Sequence, residues 1–322
     1  MKLFKGQSVR SLLPLVLPWT MVVIIYAVMA ITAPGYRQGS NIAYLLMMTS
    51  VLALVAMGQL FVILIGGIDL SVSSVMTITN LVSAVVCAKN DQNLWKAVLI
   101  SLVIGAAVGL LNGFVITKLG VPDMVATLAT YTIVFGLGYF YSAGRGQGNA
   151  APLLVSFLRG RIFGFLPPVT IVLVVLAVVV TLVLRRSTFG RQVYAVGLSR
   201  GASHAAGISI TRTTVLLYVI SGLCASVAGV LLTGTTGASV LGSGSTYQLM
   251  SIAAVVLGGA NIFGGSGGYG NTIAGAGILT LLVSLLLASG IPTAAHNILY
   301  GVVILIMLVV FRFSGNQAEQ VT

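Results

Sequence analysis

The chain has 322 residues, of which 58% are hydrophobic and only 6% are charged. A soluble domain carries about 25% charged residues, so this composition excludes a protein whose whole surface faces water. The 16 Lys and Arg residues outnumber the four Asp and Glu residues and give a formal charge of +12. Because these charges are scattered over short segments, they favour contact with anionic lipid headgroups over a nucleic-acid-binding face.

Long apolar runs follow one another along the chain. A hydrocarbon core of about 30 Å requires about 20 apolar residues per helix, since lipid offers no partner for an unpaired backbone group. We predict an all-α, polytopic membrane protein with a single transmembrane domain at 12–312, an N-terminal segment at 1–11 and a tail at 313–322. About ten spans are expected, near residues 12–33, 42–65, 70–88, 95–117, 124–142, 167–184, 213–234, 248–262, 271–290 and 295–311.

The basic residues predict the orientation of the spans. With the N-terminus in the cytoplasm, the inner segments hold ten basic residues and the outer segments six, which agrees with the positive-inside rule and places both termini in the cytoplasm. The inner ten are Lys2, Lys5, Arg10, Lys118, Arg185, Arg186, Arg191, Arg200, Arg212 and Arg312. The first apolar run is too long for a signal peptide and lacks a cleavage site, so we interpret it as an uncleaved span.

A glycine-rich break at 66–74 holds the carboxylate of Asp69 between two apolar runs. A carboxylate at the edge of a membrane is a functional candidate, but it also suits the N-terminus of the next helix, where backbone N–H groups and the helix dipole favour it. We favour the capping role. Asp123, which follows Pro122 at the start of a span, is expected to cap its own helix in the same way.

Small residues mark a helix that packs closely against another. Gly105, Gly109 and Gly113 form two overlapping G-x-x-x-G patterns in the fourth span, which predict a close helix crossing within the chain or across a dimer. A second glycine cluster at 258–270 predicts sharp turns, and the short span before it is expected to be broken or re-entrant. The cluster matches a dinucleotide-binding pattern only by accident, because no strand–helix–strand unit surrounds it.

Two connections are long enough to carry a function. The outer loop at 143–166 contains Arg145, Arg159 and Arg161, and it is either a solvated loop or a docking surface for an acidic extracytoplasmic partner.

The other long connection, at 185–212, is the longest cytoplasmic segment and holds five basic residues. Ser199 is expected to cap a short helix that runs through Ala206, and Gly207 to end it. This segment is either a contact surface for a cytoplasmic protein or only a determinant of topology.

Uncharged amides and hydroxyls within the spans suit a pathway for a neutral polyhydroxylated solute, although each also suits hydrogen bonding between helices. The candidate pathway residues are Gln59, Asp69, Asn80, Asn112, Thr127 and Tyr131.

Catalytic and energy-coupling motifs are missing from the sequence. It contains no Gly-Lys dipeptide and therefore no phosphate-binding loop of the G-x-x-x-x-G-K-[ST] type. His204 and His296 have no acidic neighbour with which to form a proton relay. Cys87 and Cys224 are expected to be packing residues, and no metal site is predicted. We predict a non-catalytic chain that depends on another subunit for energy. A self-contained ion-coupled carrier or channel, and a membrane anchor for a signalling complex, are the alternatives.

Four segments together resemble the permease subunit of ribose-type ABC importers, the monosaccharide class that also serves autoinducer-2. The matched segments are 66–74, 121–130, 188–208 and 248–268. The chain departs from the family pattern at Ser73, where the family has Gly, at Gln248, where Glu is usual, and at Asp123.

The resemblance implies a bacterial inner-membrane permease that works as a pair, beneath a periplasmic solute-binding protein and above a cytoplasmic ATPase with two nucleotide-binding domains. ATP and Mg²⁺ are then used by the ATPase, and this chain binds no cofactor. Residues 197–207 would form the helix that couples to the ATPase, and Arg145, Arg159 and Arg161 would dock the binding protein. The implied ATPase-coupling residues are Gly190, Arg191, Gly197, Ser199, Arg200, Gly201, Ala205, Ala206 and Gly207. The sugar, and the choice between a second copy and a paralogue as the paired chain, stay open.

Overall fold

The computed structural model describes residues 9–291, 295 and 297–306, with side chains described from residue 16 onward. The predictions for residues 1–8, His296 and the tail at 313–322 lie outside the described residues. Twelve α-helices are complete within the described part: α1 Val9–Thr32, α2 Gly39–Leu64, α3 Val72–Cys87, α4 Leu94–Lys118, α5 Asp123–Ser142, α6 Pro152–Arg159, α7 Pro168–Arg186, α8 Thr188–Leu198, α9 Arg200–Ala205, α10 Ile210–Thr236, α11 Ser245–Leu257 and α12 Tyr269–Ala288. A further apolar helical stretch is Asn297–Ile306.

The predicted all-α membrane architecture is confirmed. Six of these helices, namely α2, α4, α5, α7, α10 and α12, are long and apolar enough to cross a membrane, and shorter apolar helices occupy the other four predicted positions. The count of about ten spans and the cytoplasmic termini stay predictions. The described part of the first helix already includes Val9, before the expected start of the span at residue 12.

Four connections meet at one end of the bundle, which we call the junction end. Three hydrogen bonds show this, one of which joins the Tyr194 hydroxyl to the Gly267 carbonyl over 2.8 Å. The Gly265 N–H donates to the Leu64 carbonyl over 3.0 Å, and the Ile68 N–H donates to Asp123 Oδ2 over 2.6 Å. The connections concerned are 65–71, 119–122, 187–209 and 258–268.

The remaining long connections lie at the opposite end, which we call the far end. There the Lys89 N–H donates to the Asn149 carbonyl over 3.2 Å, and the Ala150 N–H donates to the Gly237 carbonyl over 2.9 Å. Because successive connections alternate between the two ends, α2 to α5 run alternately up and down the bundle, as helices that cross a membrane must.

The glycine strip of α4 packs against α10 of the same chain. A Cβ atom on Gly105 would overlap the Gly222 carbonyl, and one on Gly222 would overlap the Gly105 carbonyl. A Cβ on Gly113 would lie 2.7 Å from the Val215 Cα. The predicted close crossing is therefore confirmed, and the partner helix is α10 within the chain.

The chain at 237–244, before α11, is unwound and is bonded to α3, whereas the prediction of a broken or re-entrant helix concerned 248–270. The Val240 N–H donates to Asn80 Oδ1 over 2.9 Å, and the Gly244 N–H donates to Thr77 Oγ1 over 3.2 Å. Both acceptors belong to α3, so buried side chains satisfy this irregular backbone. The 13 residues of α11 extend about 20 Å, less than the hydrocarbon thickness.

The far-end connection at 143–167 is more ordered than a solvated loop. Its helix α6 buries Leu154 and Leu158, and a Cβ atom on Gly234 would lie 2.9 Å from Leu154 Cγ. Asp91 Oδ1 accepts the Leu153 N–H over 2.7 Å and so caps the first turn of α6. The middle of this connection is therefore a packed part of the bundle.

Candidate functional site

The connection at 187–209, which we call the coupling segment, consists of two capped helices. The Ser187 hydroxyl accepts the Gly190 N–H over 3.0 Å and begins α8. Ser199 accepts the Ala202 N–H over 3.2 Å and begins α9, and Gly207 follows it with a φ of 79°. The predicted cap and stop of the short helix are confirmed, although α9 ends at Ala205. The sequence prediction missed α8, whose only local signal is the serine at its N-cap.

Two glycines, Gly190 and Gly197, allow the backbone of α8 to lie in direct contact with the bundle. A Cβ atom on Gly197 would overlap the Leu64 carbonyl and lie 2.6 Å from the Gly265 nitrogen, and one on Gly190 would overlap the Leu184 carbonyl. The α8 residue Tyr194 donates its hydroxyl to the Gly267 carbonyl over 2.8 Å. Burial raises the pKa of Tyr194, so its phenol stays protonated as a donor. The close approach of backbone to backbone places α8 against the end of α2 and the turn before α12.

The opposite face of the coupling segment is open. Leu198 is 75% exposed, and a Cβ atom on Gly201 or Gly207 would meet nothing within 4 Å. The predicted coupling residues on this exposed face are Arg191, Ser199, Arg200, Gly201, Ala205, Ala206 and Gly207. The nine residues therefore divide. Gly190 and Gly197 hold the segment to the bundle, and the other seven form a shallow, basic outer surface, from which Arg200 also donates to the Ile65 carbonyl over 3.5 Å.

Asp69 lies at the centre of the buried turn between α2 and α3 and is 1% exposed. Its Oδ1 accepts the Ser71 N–H over 2.9 Å and the Ser71 hydroxyl over 2.6 Å, and its Oδ2 accepts the Ser221 hydroxyl over 2.7 Å. The predicted cap of α3 is not formed: Asp69 accepts the N–H of Ser71, which is the N-cap residue, and α3 has no side-chain cap of its own. The bond to Ser221 also ties the turn to α10.

Gln59 clamps the backbone of the same turn. Its side-chain amide, oriented with the nitrogen towards the Asp69 carbonyl, donates to that oxygen over 3.0 Å and accepts the Asp69 N–H over 3.3 Å. Both groups are buried, so the amide replaces hydrogen bonds that the break in the helix leaves unmade.

Asn112 and Thr127 also bind this turn. Asn112 Nδ2 donates to the Ser71 hydroxyl over 2.9 Å, and Thr127 Oγ1 accepts the Leu70 N–H over 3.1 Å. Four of the six candidate pathway residues, Gln59, Asp69, Asn112 and Thr127, thus meet around one turn, where their hydrogen bonds join helices. This is the interhelical role that the sequence left open beside a pathway.

The prediction that Asp123 caps its own helix is wrong. Its carboxylate accepts the N–H of Ile68 in the neighbouring turn, and α5 has no side-chain cap. The turn at Ile68 is buried, and leaving its N–H without an acceptor would cost free energy. The first turn of α5 is exposed, so water can satisfy its N–H groups and the carboxylate of Asp123 bonds to Ile68 instead.

Asn80 and Tyr131 lie elsewhere. Asn80 holds the unwound chain before α11 and also donates to Thr233 Oγ1 over 2.8 Å. Tyr131 is half-buried on α5 and stacks on Phe135 with ring centroids 5.5 Å apart, and Phe135 in turn contacts Tyr139 at 4.8 Å. Tyr131 is thus part of an aromatic row along one side of α5. The Tyr131 hydroxyl makes no hydrogen bond to the described residues.

Two departures from the family pattern contact each other. Ser73 Oγ donates to Gln248 Oε1 over 3.3 Å, which joins the first turns of α3 and α11. The residues are 175 positions apart, so local sequence rules do not predict the pair. The only signal in the sequence is that both positions depart from the same pattern.

At the far end, the three predicted docking arginines have different surroundings. Arg159 donates to the Thr235 carbonyl from Nε and from a terminal nitrogen, over 3.1 and 2.6 Å, and so binds the C-terminal turn of α10. Arg145 and Arg161 are exposed and make no hydrogen bond to the described residues. Arg159 therefore has a structural contact that the other two lack.

No metal site is visible in the part of the chain that the structure describes. Those residues contain no group of three or more His, Cys, Asp or Glu side chains with the geometry of a metal site. Cys87 and Cys224 are free and buried, as expected of packing residues.

Comparison with known proteins gives the family. Residues 41–311 match the family described as branched-chain amino acid transport system / permease component. The chain belongs to this family. Within it, the chain is similar to permeases named for sugars, as the four matched segments predicted.

Three relatives illustrate this similarity. The ribose import permease protein RbsC of Bacillus subtilis is 34% identical and that of Haemophilus influenzae 31% identical, each over 92% of both chains. The L-arabinose transport system permease protein AraH of Escherichia coli is 32% identical over 92% of this chain and 90% of its own. No solved structure matches the chain significantly.

Proposed function

We propose that this chain is the membrane permease subunit of an ATP-driven importer for a neutral monosaccharide, with a pentose as the first substrate to test. The similarity over 92% of the chain to permeases named for ribose and L-arabinose supports this substrate class. The importer belongs in a bacterial cytoplasmic membrane, with the junction end towards the cytoplasm, as the basic residues predict.

The open face of the coupling segment is the surface that we assign to the ATPase. This face carries small side chains, two arginines and the exposed Leu198, and α8 behind it is fixed to the bundle by backbone contacts at Gly197. ATP binding to the partner closes its two nucleotide-binding domains, and the coupling segment carries that movement into the bundle. The chain then alternates between access from the far end and access from the junction end.

At the far end we assign Arg145 and Arg161 to the docking of a periplasmic binding protein, because both guanidinium groups are exposed and uncommitted among the described residues. The aromatic row at Tyr131 is the part of the predicted pathway that is still accessible for a solute or for the paired chain. An aromatic face and a phenolic hydroxyl suit a neutral sugar better than an ion.

The first test is to purify the tagged chain in mild detergent from its native membranes and to identify the proteins that accompany it. We expect a twin-domain ATPase and a second permease chain. After reconstitution into liposomes with the binding protein, labelled ribose or arabinose should enter only when ATP is hydrolysed. A chain that transports the sugar alone, driven by an ion gradient, would show a secondary carrier instead. Uptake of autoinducer-2 without uptake of pentoses would change the substrate and keep the mechanism.

The coupling role is tested separately by Gly201→Glu. The new side chain points away from the bundle, since a Cβ at this position meets nothing within 4 Å, so folding should be preserved. We expect ATP hydrolysis to continue without sugar uptake, or assembly with the ATPase to be lost. Normal uptake by this variant would contradict the assignment of the outer face.

A further inference from the structure

Two adjoining cavities form one groove along α12 that is polar at the junction end and apolar beyond it. The polar cavity, of about 330 Å³, is lined by Arg185, Tyr194 and the glycines around the start of α12. The apolar cavity, of about 390 Å³, lies between α1, α2, α7 and α12. Trp19 lines both, so the two cavities meet at its side chain.

The polar cavity has the chemistry of an anion site. Arg185 is exposed in the last turn of α7 and has no hydrogen bond or ion pair with any described residue. No Asp or Glu is among the described residues that line the cavity. The backbone is directly accessible, because a Cβ atom on Gly268 or Gly270 would meet nothing within 4 Å. A guanidinium group without a protein partner, beside exposed peptide groups, favours a phosphate.

The apolar cavity offers a site for a hydrocarbon chain. Its walls include Val22, Leu46, Leu173 and Leu281. The hydroxyls of Ser50 and Thr170 also line it, but they lie 3.2 Å apart and bond to each other, and Ser50 also donates to a backbone carbonyl over 2.7 Å. These hydroxyls therefore place little unsatisfied polarity in the groove.

The groove is at least as long as one leaflet of a bilayer. From Gly270 at the polar end to Leu281 at the apolar end, α12 rises about 16 Å. Half of a hydrocarbon core of about 30 Å is about 15 Å. A molecule with a charged headgroup and an acyl chain of leaflet length fills both cavities, whereas a free anion fills only the first.

We propose that this groove binds an anionic phospholipid from the leaflet at the junction end. The phosphate lies at Arg185, and one acyl chain lies between α1 and α12, past Trp19. Basic pockets between membrane helices recognise anionic headgroups in this way, and tryptophan favours the boundary between headgroup and hydrocarbon. The proposal does not depend on the transported solute.

The test measures lipid affinity of the full chain in mild detergent by native mass spectrometry. Dioleoyl phosphatidylglycerol and dioleoyl phosphatidylcholine, which differ in charge and share their acyl chains, are titrated against the wild type, Arg185→Gln and Arg186→Gln. Arg186 is the matched control, because it is the next exposed arginine of α7 and lines neither cavity. We expect phosphatidylglycerol to bind more tightly than phosphatidylcholine, and Arg185→Gln to weaken it about fivefold. Arg186→Gln should leave it unchanged.

Equal affinities for the two lipids, or equal losses in the two arginine variants, would overturn the proposal. Complete displacement of the lipid by inorganic phosphate at equal concentration would show a site for a free anion. Gly270 lines the polar cavity, and a Cβ atom there meets nothing within 4 Å. Gly270→Leu should therefore abolish the preference for phosphatidylglycerol while the unfolding temperature is kept. Unchanged lipid binding by this variant would also refute the proposed position.

Discussion

Adding a single methyl group at Gly197 tests how the coupling segment is held. The new Cβ atom of Gly197→Ala would overlap the Leu64 carbonyl oxygen and lie 2.6 Å from the Gly265 nitrogen. Those two atoms are joined by a hydrogen bond of 3.0 Å. Non-bonded heavy atoms need about 3.5–4.0 Å, and both neighbours are backbone. The methyl group therefore fits only if α8 moves outward or this hydrogen bond breaks.

The expected cost follows from these two effects. Overpacking costs about 1–3 kcal/mol, and loss of the backbone hydrogen bond adds about 1 kcal/mol, so the variant should lose about 2–4 kcal/mol of stability. Gly201→Ala, four positions further on, is the matched control. Its Cβ meets nothing within 4 Å, and alanine is favoured over glycine within a helix by about 0.5–1 kcal/mol.

The assay measures the thermal unfolding temperature of the two variants in the same detergent and their ATP-driven sugar uptake after reconstitution. Gly197→Ala should unfold at a lower temperature and transport poorly, whereas Gly201→Ala should match or exceed the wild type in stability. If both variants unfold and transport like the wild type, the backbone contact at Gly197 does not hold the segment, and the reasoning fails.

Three further changes test the bundle. Gly105→Ala should cost about 1–3 kcal/mol by separating α4 from α10, whereas Gly136→Ala, with open space around its Cβ, should cost nothing in the same unfolding assay. Asp69→Leu leaves three buried donors unpaired and should lower the free energy of unfolding by at least about 3 kcal/mol. Asp69→Asn keeps an acceptor and should lower it by only about 1 kcal/mol. Equal losses in the two variants would contradict the hydrogen-bond role of Asp69. A double-mutant cycle with Ser73→Ala and Gln248→Ala should give a coupling of about 0.5–1 kcal/mol, and strict additivity would show that the pair contributes nothing.

The features that the sequence predicted correctly depend on short-range patterns. Apolar runs predicted the membrane helices, because lipid leaves the backbone no alternative to a helix. Ser199 and Gly207 predicted the bounds of a short helix from cap and stop preferences. The spacing of Gly105 and its neighbours in α4 predicted a close crossing, although it did not identify α10 as the partner.

The polar residues within the membrane were harder to predict, because their roles depend on distant partners. A buried amide has the same local sequence signal whether it lines a pathway or joins two helices. Asn112 binds the turn before α3, and Asn80 supports an unwound segment 160 residues further along the chain. Asp123 was misassigned for the same reason, since its acceptor role depends on an N–H in another turn. Only the packed chain shows which donors are left without a helical partner.

These contacts also form a continuous path from the coupling segment to the interior, along which the proposed movement would travel. The backbone of Gly197 lies directly against the last carbonyl of α2, and the turn that holds Asp69 follows this carbonyl in the chain. Asp69 is bonded to Ser221 on α10, and Thr233 on the same helix is bonded to Asn80, which supports the unwound chain before α11. Every link between helices in this path is a backbone contact or a buried hydrogen bond, and a packed interior transmits displacement rather than absorbing it. The unwound chain keeps turn hydrogen bonds, from the Ser243 N–H to the Val240 carbonyl and from the Ser245 N–H to the Gly242 carbonyl, but has no continuous helical ladder. In the proposed mechanism it is the segment of this path with the fewest backbone hydrogen bonds to break.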